Sequence, residues 1–328
     1  MRLLVTGASG FLGGHLCEAL SGKHEIVAMV RKGSDTSLLT PLGVELRCCD
    51  LADPSSLIGV ARNVDAVVHL AAYYTFTGDE ESYRRINVEG TRALLASMIN
   101  SGVARIVYCS STEALGPTGA EPANEDRTPA PVYAYGRSKV QGEELVREHA
   151  SRGIDHTIIR PSGIYGPRNF EDISYWFISA FGGSVMGRFV VGDGRRLLQF
   201  VHVDDVVQGF RLALENPRSI GRTYHISDSR AYTYDEIYAM LAAIFGRRPP
   251  RLHVPVPVAK ALVAPVEGLN RLMGKDSFMF RSSTMETFRE DRNYSIERAS
   301  IELGYSPRWS LPEGLEATVR WYRENGYL

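Results

Sequence analysis

The chain has 328 residues, of which 44% are hydrophobic and 23% charged, so its composition is that of a globular protein with one large or two modest domains. This composition excludes fibrous, collagenous and disordered proteins. With 37 basic and 38 acidic residues, the net charge is -1. A net charge so close to zero produces no overall electrostatic attraction to nucleic acid or to an anionic membrane. Any anionic ligand must therefore be held by a local site.

The four cysteines, Cys17, Cys48, Cys49 and Cys109, lie within apolar stretches and lack the C-x-x-C spacing of metal or redox sites. We expect reduced thiols packed in the core, as in a reducing compartment, and no metal site. An apolar strand is predicted as early as Leu3, which leaves no room for a signal peptide. These patterns favour a cytoplasmic protein.

Short apolar runs alternate with helical patterns through the first half of the chain. Strands of about five residues separated by helices are typical of βαβ units, and several runs are almost continuously apolar, as in parallel strands covered on both faces. The sequence therefore predicts a doubly wound parallel sheet with helices on both sides. The predicted strands are Arg2–Thr6, Glu25–Val30, Val44–Cys48, Ala66–Leu70, Arg105–Cys109 and Thr157–Arg160, and the predicted helices are Phe11–Ser21, Pro54–Arg62, Val88–Ile99 and Tyr133–Ser151.

Beyond Pro161 the pattern is looser. Glycine-rich loops precede an apolar run at Leu198–Val203, a helix is predicted from Asp204, and a further strand is predicted near Thr223–Ile226. Prolines then divide the tail into short pieces. We assign residues 1–168 with 197–228 to the sheet domain, and residues 169–196 with 229–328 to a smaller cap that covers a substrate.

The segment Leu252–Met273 is the part of the tail most similar to a membrane-associating stretch. Three prolines, Lys260 and Glu267 interrupt it, which excludes a spanning helix. We expect a lid packed on the protein, and a monotopic contact with a membrane surface is the alternative.

A glycine-rich turn, T-G-A-S-G-F-L-G at residues 6–13, joins the first strand to the first helix. In such a turn the first glycine allows a tight bend, the second lets the backbone approach a diphosphate, and the third lets the helix lie close to the sheet. Free N–H groups at the helix N-terminus attract phosphate. The turn predicts a dinucleotide cofactor, contacted by Gly7, Ser9, Gly10, Phe11, Leu12 and Gly13.

The end of the second strand indicates which dinucleotide binds, because a carboxylate there holds the ribose 2′-hydroxyl of NAD whereas arginine accommodates the 2′-phosphate of NADP. Arg31 and Lys32 occupy this position without an acid, which favours NADP, with NAD as the alternative. The competing interpretation is that both cations are solvated loop charges. Further cofactor contacts are expected beside the adenine and the ribose, from Asp50, Leu51, Leu70, Ala71 and Ala72.

Tyr135 and Lys139 are four residues apart in a helical pattern and therefore share one helix face. A tyrosine hydroxyl is a poor base near neutral pH unless a nearby cation stabilises its phenolate, and Lys139 supplies that cation. Tyr135 is then the predicted acid/base that exchanges a proton with a substrate hydroxyl. Tyr133 and Arg137 have the same spacing, and we interpret Tyr133 as a pocket wall.

Three hydroxyl residues, Ser110, Ser111 and Thr112, end the fifth strand, at the edge where open parallel sheets bind ligands. Each of the three can donate a hydrogen bond to a substrate oxygen and stabilise its developing charge. A strand-end hydroxyl ahead of a helical Tyr/Lys pair, in a dinucleotide fold, predicts an oxidoreductase.

Together these motifs resemble the extended short-chain dehydrogenase/reductases, the superfamily that includes NAD-dependent epimerases and dehydratases. The resemblance extends over nearly the whole chain and rests on the glycine turn, HLAA at 69–72, INVEGT at 86–91, SST at 110–112, YGRSK at 135–139, RPSGIYGPR at 160–168 and FVHVDDV at 200–206. It implies a Rossmann fold and a homodimer formed by the helices at Val88–Ile99 and Tyr133–Ser151. For single residues it implies catalysis by Ser111, Tyr135 and Lys139, a supporting Asn87, and a cofactor contact at Pro161.

Two positions depart from the nucleotide-sugar members of this superfamily. Those members typically carry asparagine where this chain has Gly163 and arginine where it has Leu198, both to hold a substrate diphosphate; Arg195 and Arg196 lie close enough in sequence to compensate. From residue 160 onwards the chain is more similar to the 3β-hydroxysteroid and sterol-4-carboxylate 3-dehydrogenases and to dihydroflavonol-reductase-like members.

This resemblance implies hydride transfer with a secondary alcohol or ketone of a small, alicyclic or sterol-like molecule. A nucleotide-sugar 4-epimerase or dehydratase that retains its cofactor is the alternative, followed by a non-catalytic dinucleotide sensor. We expect no nucleic acid partner. Substrate contacts are expected from Tyr73, Phe76, Ser111, Thr112, Gly163 and Tyr165.

Overall fold

The computed structural model describes residues 1–75, 78–170, 173–183, 185–273 and 281–328. Thirteen strands lie in these ranges. They are β1 (Arg2–Thr6), β2 (Glu25–Val30), β3 (Glu45–Cys48), β4 (Ala66–His69), β5 (Arg105–Cys109), β6 (Asp155–Pro161), β7 (Gly163–Tyr165), β8 (Phe189–Val191), β9 (Leu197–Leu198), β10 (Phe200–His202), β11 (Arg222–Ile226), β12 (Tyr232–Thr233) and β13 (Leu252–Val254).

Eleven α-helices lie in the same ranges, together with a short π-helix at Arg84–Glu89 that leads into α3. They are α1 (Phe11–Leu20), α2 (Glu80–Tyr83), α3 (Gly90–Asn100), α4 (Ala134–Glu148), α5 (Ile173–Gly183), α6 (Val203–Glu215), α7 (Tyr234–Ile244), α8 (Val256–Leu272), α9 (Ser282–Thr287), α10 (Glu297–Leu303) and α11 (Leu311–Glu324). None of these helices is both long and apolar enough to cross a membrane.

A seven-stranded sheet organises the first part of the chain, in the order β3-β2-β1-β4-β5-β6-β11, with every neighbouring pair parallel. Successive residues of each strand face opposite sides of the sheet. On β1, Leu3 and Val5 enter the core under α1, α6 and α10, whereas Leu4 enters the core under α3 and α4. Helices thus cover both faces, and the predicted doubly wound parallel sheet is confirmed.

A second core lies outside the sheet and is rich in aromatic residues. It gathers side chains of α5, α7, α8 and α11 around short two-stranded pairings of β8 with β13 and β9 with β12. Rings meet within it at short range: Phe181 and Tyr238 have centroids 5.1 Å apart, and Tyr234 and Phe288 have centroids 4.7 Å apart. We call this part of the molecule the cap.

Several predicted elements differ in the structure. The predicted helix at Pro54–Arg62 is only a 3₁₀ turn over Pro54–Leu57, because Gly59 adopts a left-handed conformation with φ = +74°. The apolar run at Leu198–Val203 is divided between β9, β10 and the start of α6. The tail is less broken than its prolines predict, since α8 continues through Pro265 for 17 residues.

The cysteine prediction is wrong for one residue. Cys17 and Cys109 are buried and Cys49 is half-buried, and none of the four forms a disulfide. Cys48 is exposed, because β3 is the last strand at one edge of the sheet and no strand covers its outer side.

Candidate active site

The glycine turn between β1 and α1 is too tightly packed for side chains at two of its glycines. Gly7 has φ = +69°, and a Cβ there would lie 2.8 Å from the amide nitrogen of Ala71. A Cβ at Gly13 would collide with the carbonyl oxygen of Gly7. The amide of Gly10 donates to that same carbonyl at 3.0 Å, and Gly10 is the N-cap of α1. Helix α1 therefore begins with free N–H groups at the carboxyl edge of the sheet, the arrangement that binds diphosphates.

The other predicted residues of this turn surround the start of α1. Ser9, Phe11 and Leu12 are half-buried, and Leu12 packs against the core beneath α1. The ring of Phe11 meets His15 edge to face, with centroids 5.5 Å apart. His15 bonds through Nε2 to the carbonyl oxygen of Pro167 at 3.0 Å, which ties the turn to the segment after β7.

A surface pocket of about 450 Å³ opens where β2 and β3 end, and we call it the edge pocket. It is lined by Arg31, Lys32, Gly33, Ser34, Cys48, Cys49, Asp50 and Ser56. Arg31 and Lys32 are exposed and form no ion pair with any residue of the described ranges. The Asp50 carboxylate accepts a hydrogen bond from the amide of Ala52 at 2.9 Å. The edge pocket therefore presents two unpaired cations to a ligand.

The segment after β4 borders the glycine turn and consists of Leu70, Ala71 and Ala72, all half-buried. The amide of Ala71 donates to Oγ1 of Thr6 at 3.1 Å, which holds this backbone beside the turn. Leu51 is buried, with the start of α3 packed against it. Pro161 ends β6 at the same edge of the sheet and is also buried.

Lys139 lies inside the protein, with only 2% of its surface exposed. Its Nζ donates to the carbonyl oxygen of Cys109, the last residue of β5, at 2.8 Å, and lies 5.6 Å from the ring centroid of Tyr135. Burial lowers the pKa of the ammonium. Helix α4 packs closely on the turn after β5, so closely that a Cβ at Gly136 would collide with the carbonyl oxygen of Glu113. These contacts place Tyr135 and Lys139 at the carboxyl end of β5.

The three strand-end hydroxyls have different surroundings. Ser110 is buried and donates to Oε1 of Glu143 at 2.5 Å, so its hydroxyl is already engaged. Ser111 is half-buried, and its Oγ accepts from the amide of Glu113 at 3.2 Å. Thr112 is buried. Ser111 is therefore the member of the three whose O–H remains accessible at this edge.

A buried ion pair that the sequence reasoning missed lies beneath this site. Arg160 donates two hydrogen bonds to the Glu143 carboxylate, at 2.7 and 2.6 Å, and Arg147 adds a third at 2.8 Å. Burial alone would raise the pKa of Glu143, but the bonds from Arg160 and Ser110 outweigh burial, and the pKa is lowered. An arginine directly after Ile158 and Ile159 in strand β6 was the available signal, because an unpaired buried guanidinium is very costly.

A chain of hydrogen bonds, also missed, connects the glycine turn with α3. The His69 ring bonds through Nδ1 to Oγ1 of Thr6 at 2.7 Å and through Nε2 to Oγ1 of Thr91 at 2.9 Å. Thr91 donates in turn to the carbonyl oxygen of Asn87 at 2.6 Å. Burial lowers the pKa of His69 to about 3, so the ring is neutral. HLAA and INVEGT were noted as motifs, but their contact with each other is not visible in the sequence.

Asn87 extends this chain to the helix that carries Tyr135. Its Oδ1 accepts from the amide of Tyr73 at 2.6 Å, and its Nδ2 donates to Oγ of Ser138 at 3.0 Å. Ser138 donates to the carbonyl oxygen of Tyr135 at 2.7 Å. The series of hydrogen bonds therefore runs from Thr6 through His69, Thr91 and Asn87 to Ser138.

Aromatic rings surround Tyr135. Tyr74 meets it edge to face, with centroids 4.9 Å apart, and Tyr83 lies 6.2 Å from it and 5.1 Å from Tyr73. Tyr83 was not among the predicted site residues, and Phe76 lies outside the described residues. The wall beside Tyr135 is therefore formed by tyrosines.

Of two predicted substrate residues in β7, Tyr165 belongs to the cap core and Gly163 is half-buried. Tyr165 is 2% exposed, and its ring packs on Phe200 and His202. A Cβ at Gly163 would lie 2.9 Å from the Phe200 ring. The Phe200 ring therefore occupies the space that a longer side chain at position 163 would need.

Tyr133 and Arg137 have the same spacing as Tyr135 and Lys139, but their contacts in the structure are different. Arg137 donates to the carbonyl oxygen of Val132 at 2.8 Å and pairs with Glu80, so its charge is engaged outside the site. Burial raises the pKa of Tyr133 to about 12. The cation beside Tyr133 is therefore not Arg137 but Arg292, whose charge is already paired with Glu113 and Glu290.

Comparison with known proteins identifies the family. The sequence profile of the NAD-dependent epimerase/dehydratase family matches residues 3–227, well over half of the chain. The chain belongs to that family. The predicted resemblance is thus confirmed, and this member of the NAD-dependent epimerase/dehydratase family is an enzyme of the extended dehydrogenase/reductase type.

Relatives of this family member include sterol and sugar enzymes. Sterol demethylase protein B of Methylococcus capsulatus is 31% identical over 337 aligned positions that cover 100% of both chains. The human sterol-4-alpha-carboxylate 3-dehydrogenase (decarboxylating) is 27% identical and covers 98% of this chain and 88% of its own. The structure of DesIV, a dTDP-glucose 4,6-dehydratase of Streptomyces venezuelae with NAD and TYD bound, has a TM-score of 0.79 at 27% identity, covering 99% of this chain and 98% of its own.

Proposed function

We propose that the protein transfers a hydride between NADP(H) and a secondary alcohol or ketone of a small, apolar, alicyclic or sterol-like substrate. The observation that carries the proposal is the position of Lys139, a buried ammonium bonded to the end of β5 and 5.6 Å from the ring of Tyr135. An ammonium at this distance stabilises a phenolate and so equips Tyr135 as an acid/base near neutral pH.

The residues of the sheet edge fit a dinucleotide. The glycine turn leaves no room for side chains at Gly7 and Gly13, and the edge pocket offers two unpaired cations. When bound, the nicotinamide supplies or accepts the hydride.

Tyr135 and Ser111 would handle the proton and the substrate oxygen. In alcohol oxidation the phenolate of Tyr135 accepts the hydroxyl proton as the hydride leaves the same carbon, and in ketone reduction Tyr135 returns that proton. Ser111 donates a hydrogen bond to the substrate oxygen, and Lys139 stabilises the phenolate. Ser110 is not a substitute for Ser111, because Glu143 holds its hydroxyl.

Arg31 and Lys32 support a preference for NADP. Both are exposed in the edge pocket, where an arginine fork suits the 2′-phosphate by charge-assisted hydrogen bonds. Asp50, the acidic residue of the pocket, is engaged with the amide of Ala52. DesIV has NAD bound, so a preference for NADP distinguishes this chain from that relative.

Two observations support an apolar substrate. Tyrosine rings form the wall beside Tyr135, and Phe200 fills the space beside Gly163 where nucleotide-sugar enzymes are expected to carry asparagine. Two relatives are named for sterols, and their similarity covers nearly the whole chain. The ring of Tyr73 extends this wall, because it packs against the ring of Tyr83.

The test is an assay of purified protein with NADPH and with NADH against a panel of cyclic ketones, sterol-like ketones and nucleotide sugars. We expect turnover of an apolar ketone with NADPH. Turnover of nucleotide sugars alone would contradict the proposal. Ultraviolet spectra before and after denaturation separate the mechanisms, because an epimerase or dehydratase retains its cofactor and a dehydrogenase exchanges it every turnover.

An epimerase or dehydratase of nucleotide sugars is the second candidate, favoured by the likeness of the whole chain to DesIV. We further propose a cytoplasmic homodimer in which α3 and α4 pair across a two-fold axis. Sedimentation velocity at micromolar concentration tests the dimer, and a monomer alone would contradict it.

A further inference from the structure

Helix α8 has two apolar faces, and the protein covers one of them. Val256, Ala259 and Val263 are at most 8% exposed and enter the cap core. A second row projects outward and remains largely uncovered, with exposures of 49% for Val258, 67% for Leu262, 37% for Val266, 55% for Leu269, 86% for Leu272 and 49% for Met273. We call this row the outer stripe of α8.

The charged side chains of α8 that the structure describes, Lys260 and Glu267, are engaged with residues of α9. Lys260 pairs with Glu286 at 2.6 Å, and Glu267 accepts two hydrogen bonds from Ser282. Every side chain of α8 that the structure describes as exposed is uncharged. A helix at a water-exposed surface normally carries charged residues on its outer face, so this helix has the pattern of one covered on both sides.

Cations lie at the beginning of this face. Arg248 and Arg251 precede α8, both exposed, and neither forms an ion pair with a residue of the described ranges. Leu252, next to Arg251, is itself 63% exposed. An apolar stripe bordered by unpaired arginines matches a surface that is apolar inside and anionic at its boundary.

The size of the stripe distinguishes a lipid surface from a second copy of the chain. Fifteen residue steps from Val258 to Met273 rise roughly 22 Å at about 1.5 Å per residue, and a stripe about 10 Å wide then offers on the order of 250 Å². Stable protein interfaces need about 800 Å² from each partner. An interfacial helix needs only one apolar face of this size and nearby cations.

We infer that the outer stripe of α8 docks on the surface of a lipid bilayer containing anionic lipids. The apolar row enters the boundary between headgroups and acyl chains, and Arg248 and Arg251 contact the headgroups. This inference does not rest on the proposed function, because it depends on α8 and its flanking arginines alone. Of the two expectations for Leu252–Met273, a lid packed on the protein and a monotopic contact with a membrane, it adopts the second for the outer stripe.

The test is co-sedimentation of the full chain with phosphatidylcholine vesicles, with and without phosphatidylserine. We expect binding to the phosphatidylserine vesicles. Leu262→Ser combined with Leu269→Ser should weaken that binding at least about tenfold, because two large apolar side chains lose their burial. Ile58→Ser combined with Ile301→Ser is the matched control, since those residues are 79% and 74% exposed on other surfaces, and it should bind as the wild type.

The arginines are tested separately. Arg248→Gln combined with Arg251→Gln should weaken binding to phosphatidylserine vesicles on the order of tenfold and leave binding to pure phosphatidylcholine unchanged. Circular dichroism and thermal unfolding establish that each variant is folded, as expected for substitutions of exposed residues.

Three outcomes would overturn the inference. In the first, the wild type stays in the supernatant with both kinds of vesicle. In the second, the double leucine variant sediments with phosphatidylserine vesicles as well as the wild type does. In the third, sedimentation velocity without lipid shows that the leucine substitutions convert a dimer into a monomer, which assigns the stripe to a second copy of the chain.

Discussion

The sheet domain and the cap bury different kinds of side chain. Beneath the sheet edge, Lys139, Glu143, Arg160 and His69 are all at most 2% exposed, and each has hydrogen-bonding partners. The cap core contains instead a dense group of aromatic and aliphatic residues. Buried charges hold their neighbours in fixed positions because any displacement leaves them unpaired, whereas apolar contacts tolerate small shifts.

This difference fits the roles that we propose for the two regions. A proton acid/base must lie within a narrow range of distance from its substrate, so rigid polar contacts suit the end of β5 and the start of α4. A surface that binds apolar molecules depends on the apolar area it offers, because apolar contacts, unlike hydrogen bonds, have no preferred direction. If the buried polar contacts of the sheet domain control chemistry and stability, substitutions there should have larger effects than substitutions in the cap.

The largest effect is expected at Tyr135. Tyr135→Phe keeps the ring and removes the exchanging proton, so turnover should fall about 10²- to 10⁴-fold while NADPH affinity changes little. Steady-state rates and fluorescence titration with NADPH measure the two quantities. Tyr133→Phe is the matched control and should retain most activity, because Arg137 is engaged elsewhere. Near wild-type rates for Tyr135→Phe across the pH range would contradict the proton transfer proposed here.

Glu143→Gln should be the most damaging substitution for stability. It leaves Arg160 buried without its carboxylate, which typically costs about 3–5 kcal/mol. Denaturant unfolding measures the change. Glu144→Gln, one residue along and exposed, should stay within about 0.5 kcal/mol of the wild type. Equal losses of unfolding free energy in the two variants would contradict a stabilising role for the buried pair of Arg160 and Glu143.

His69 should give the stability curve a dependence on pH. Its pKa is lowered from 6.5 to about 3 in the folded protein, so the unfolded chain binds the proton more tightly. The stability that the neutral ring contributes is complete above pH 6.5 and is lost progressively as the pH falls towards 3. His69→Phe should lower the free energy of unfolding by about 1–3 kcal/mol, because Thr6 and Thr91 lose a partner.

The measurement for His69 is unfolding by urea at a series of pH values. The difference between wild type and His69→Phe isolates this ring, since other buried histidines are present in both proteins. The difference should shrink as the pH falls below 6.5. A constant difference for His69→Phe would show that the ring is not kept neutral.

A smaller effect, on cofactor affinity, is expected from substituting Arg31 in the sheet domain. Arg31→Ser should weaken NADPH binding about 10- to 100-fold and leave NADH binding almost unchanged, because only NADPH carries the 2′-phosphate. Dissociation constants for both cofactors measure this. Arg152→Ser removes an equal charge at an exposed position after α4 and should change neither constant. A parallel loss for both cofactors would contradict the assignment.

The smallest effect is expected on the outer stripe in the cap. Leu262→Ala should change the free energy of unfolding by less than about 0.5 kcal/mol, whereas Val263→Ala should cost about 1–2 kcal/mol. The two residues are adjacent, but Leu262 is 67% and Val263 8% exposed. Thermal unfolding of the two variants compares them directly. A larger cost at Leu262 would mean that the protein itself covers the stripe.

The sequence predicted the sheet because its signals are local, and the candidate site residues were proposed from motifs that are equally local. Strands β1 to β6 are short apolar runs, the glycine turn is contiguous, and Tyr135 and Lys139 are one helical turn apart. Partners distant in sequence gave no such signal. His69 and Thr91 meet only after β4 and α3 have packed, and Arg160 meets Glu143 only when β6 lies beside α4.

Other errors come from patterns that do not specify a direction. Apolar residues lie on more than one face of α8, and the sequence does not show which of these faces the cap covers. Cys48 lies in an apolar run, but its exposure depends on β3 being an edge strand. At position 165 the tyrosine was expected to face substrate, yet its ring belongs to the cap core because β7 pairs with β10.

The position of β11 at the outer edge of the sheet has a consequence for synthesis. Its partner β6 ends at Pro161, and β11 begins only at Arg222, after several elements of the cap. During translation, the unpaired edge of β6 remains open until β11 has emerged from the ribosome. A chain that stops before Arg222 retains this open edge permanently. We expect such truncated chains to aggregate through the open edge of β6.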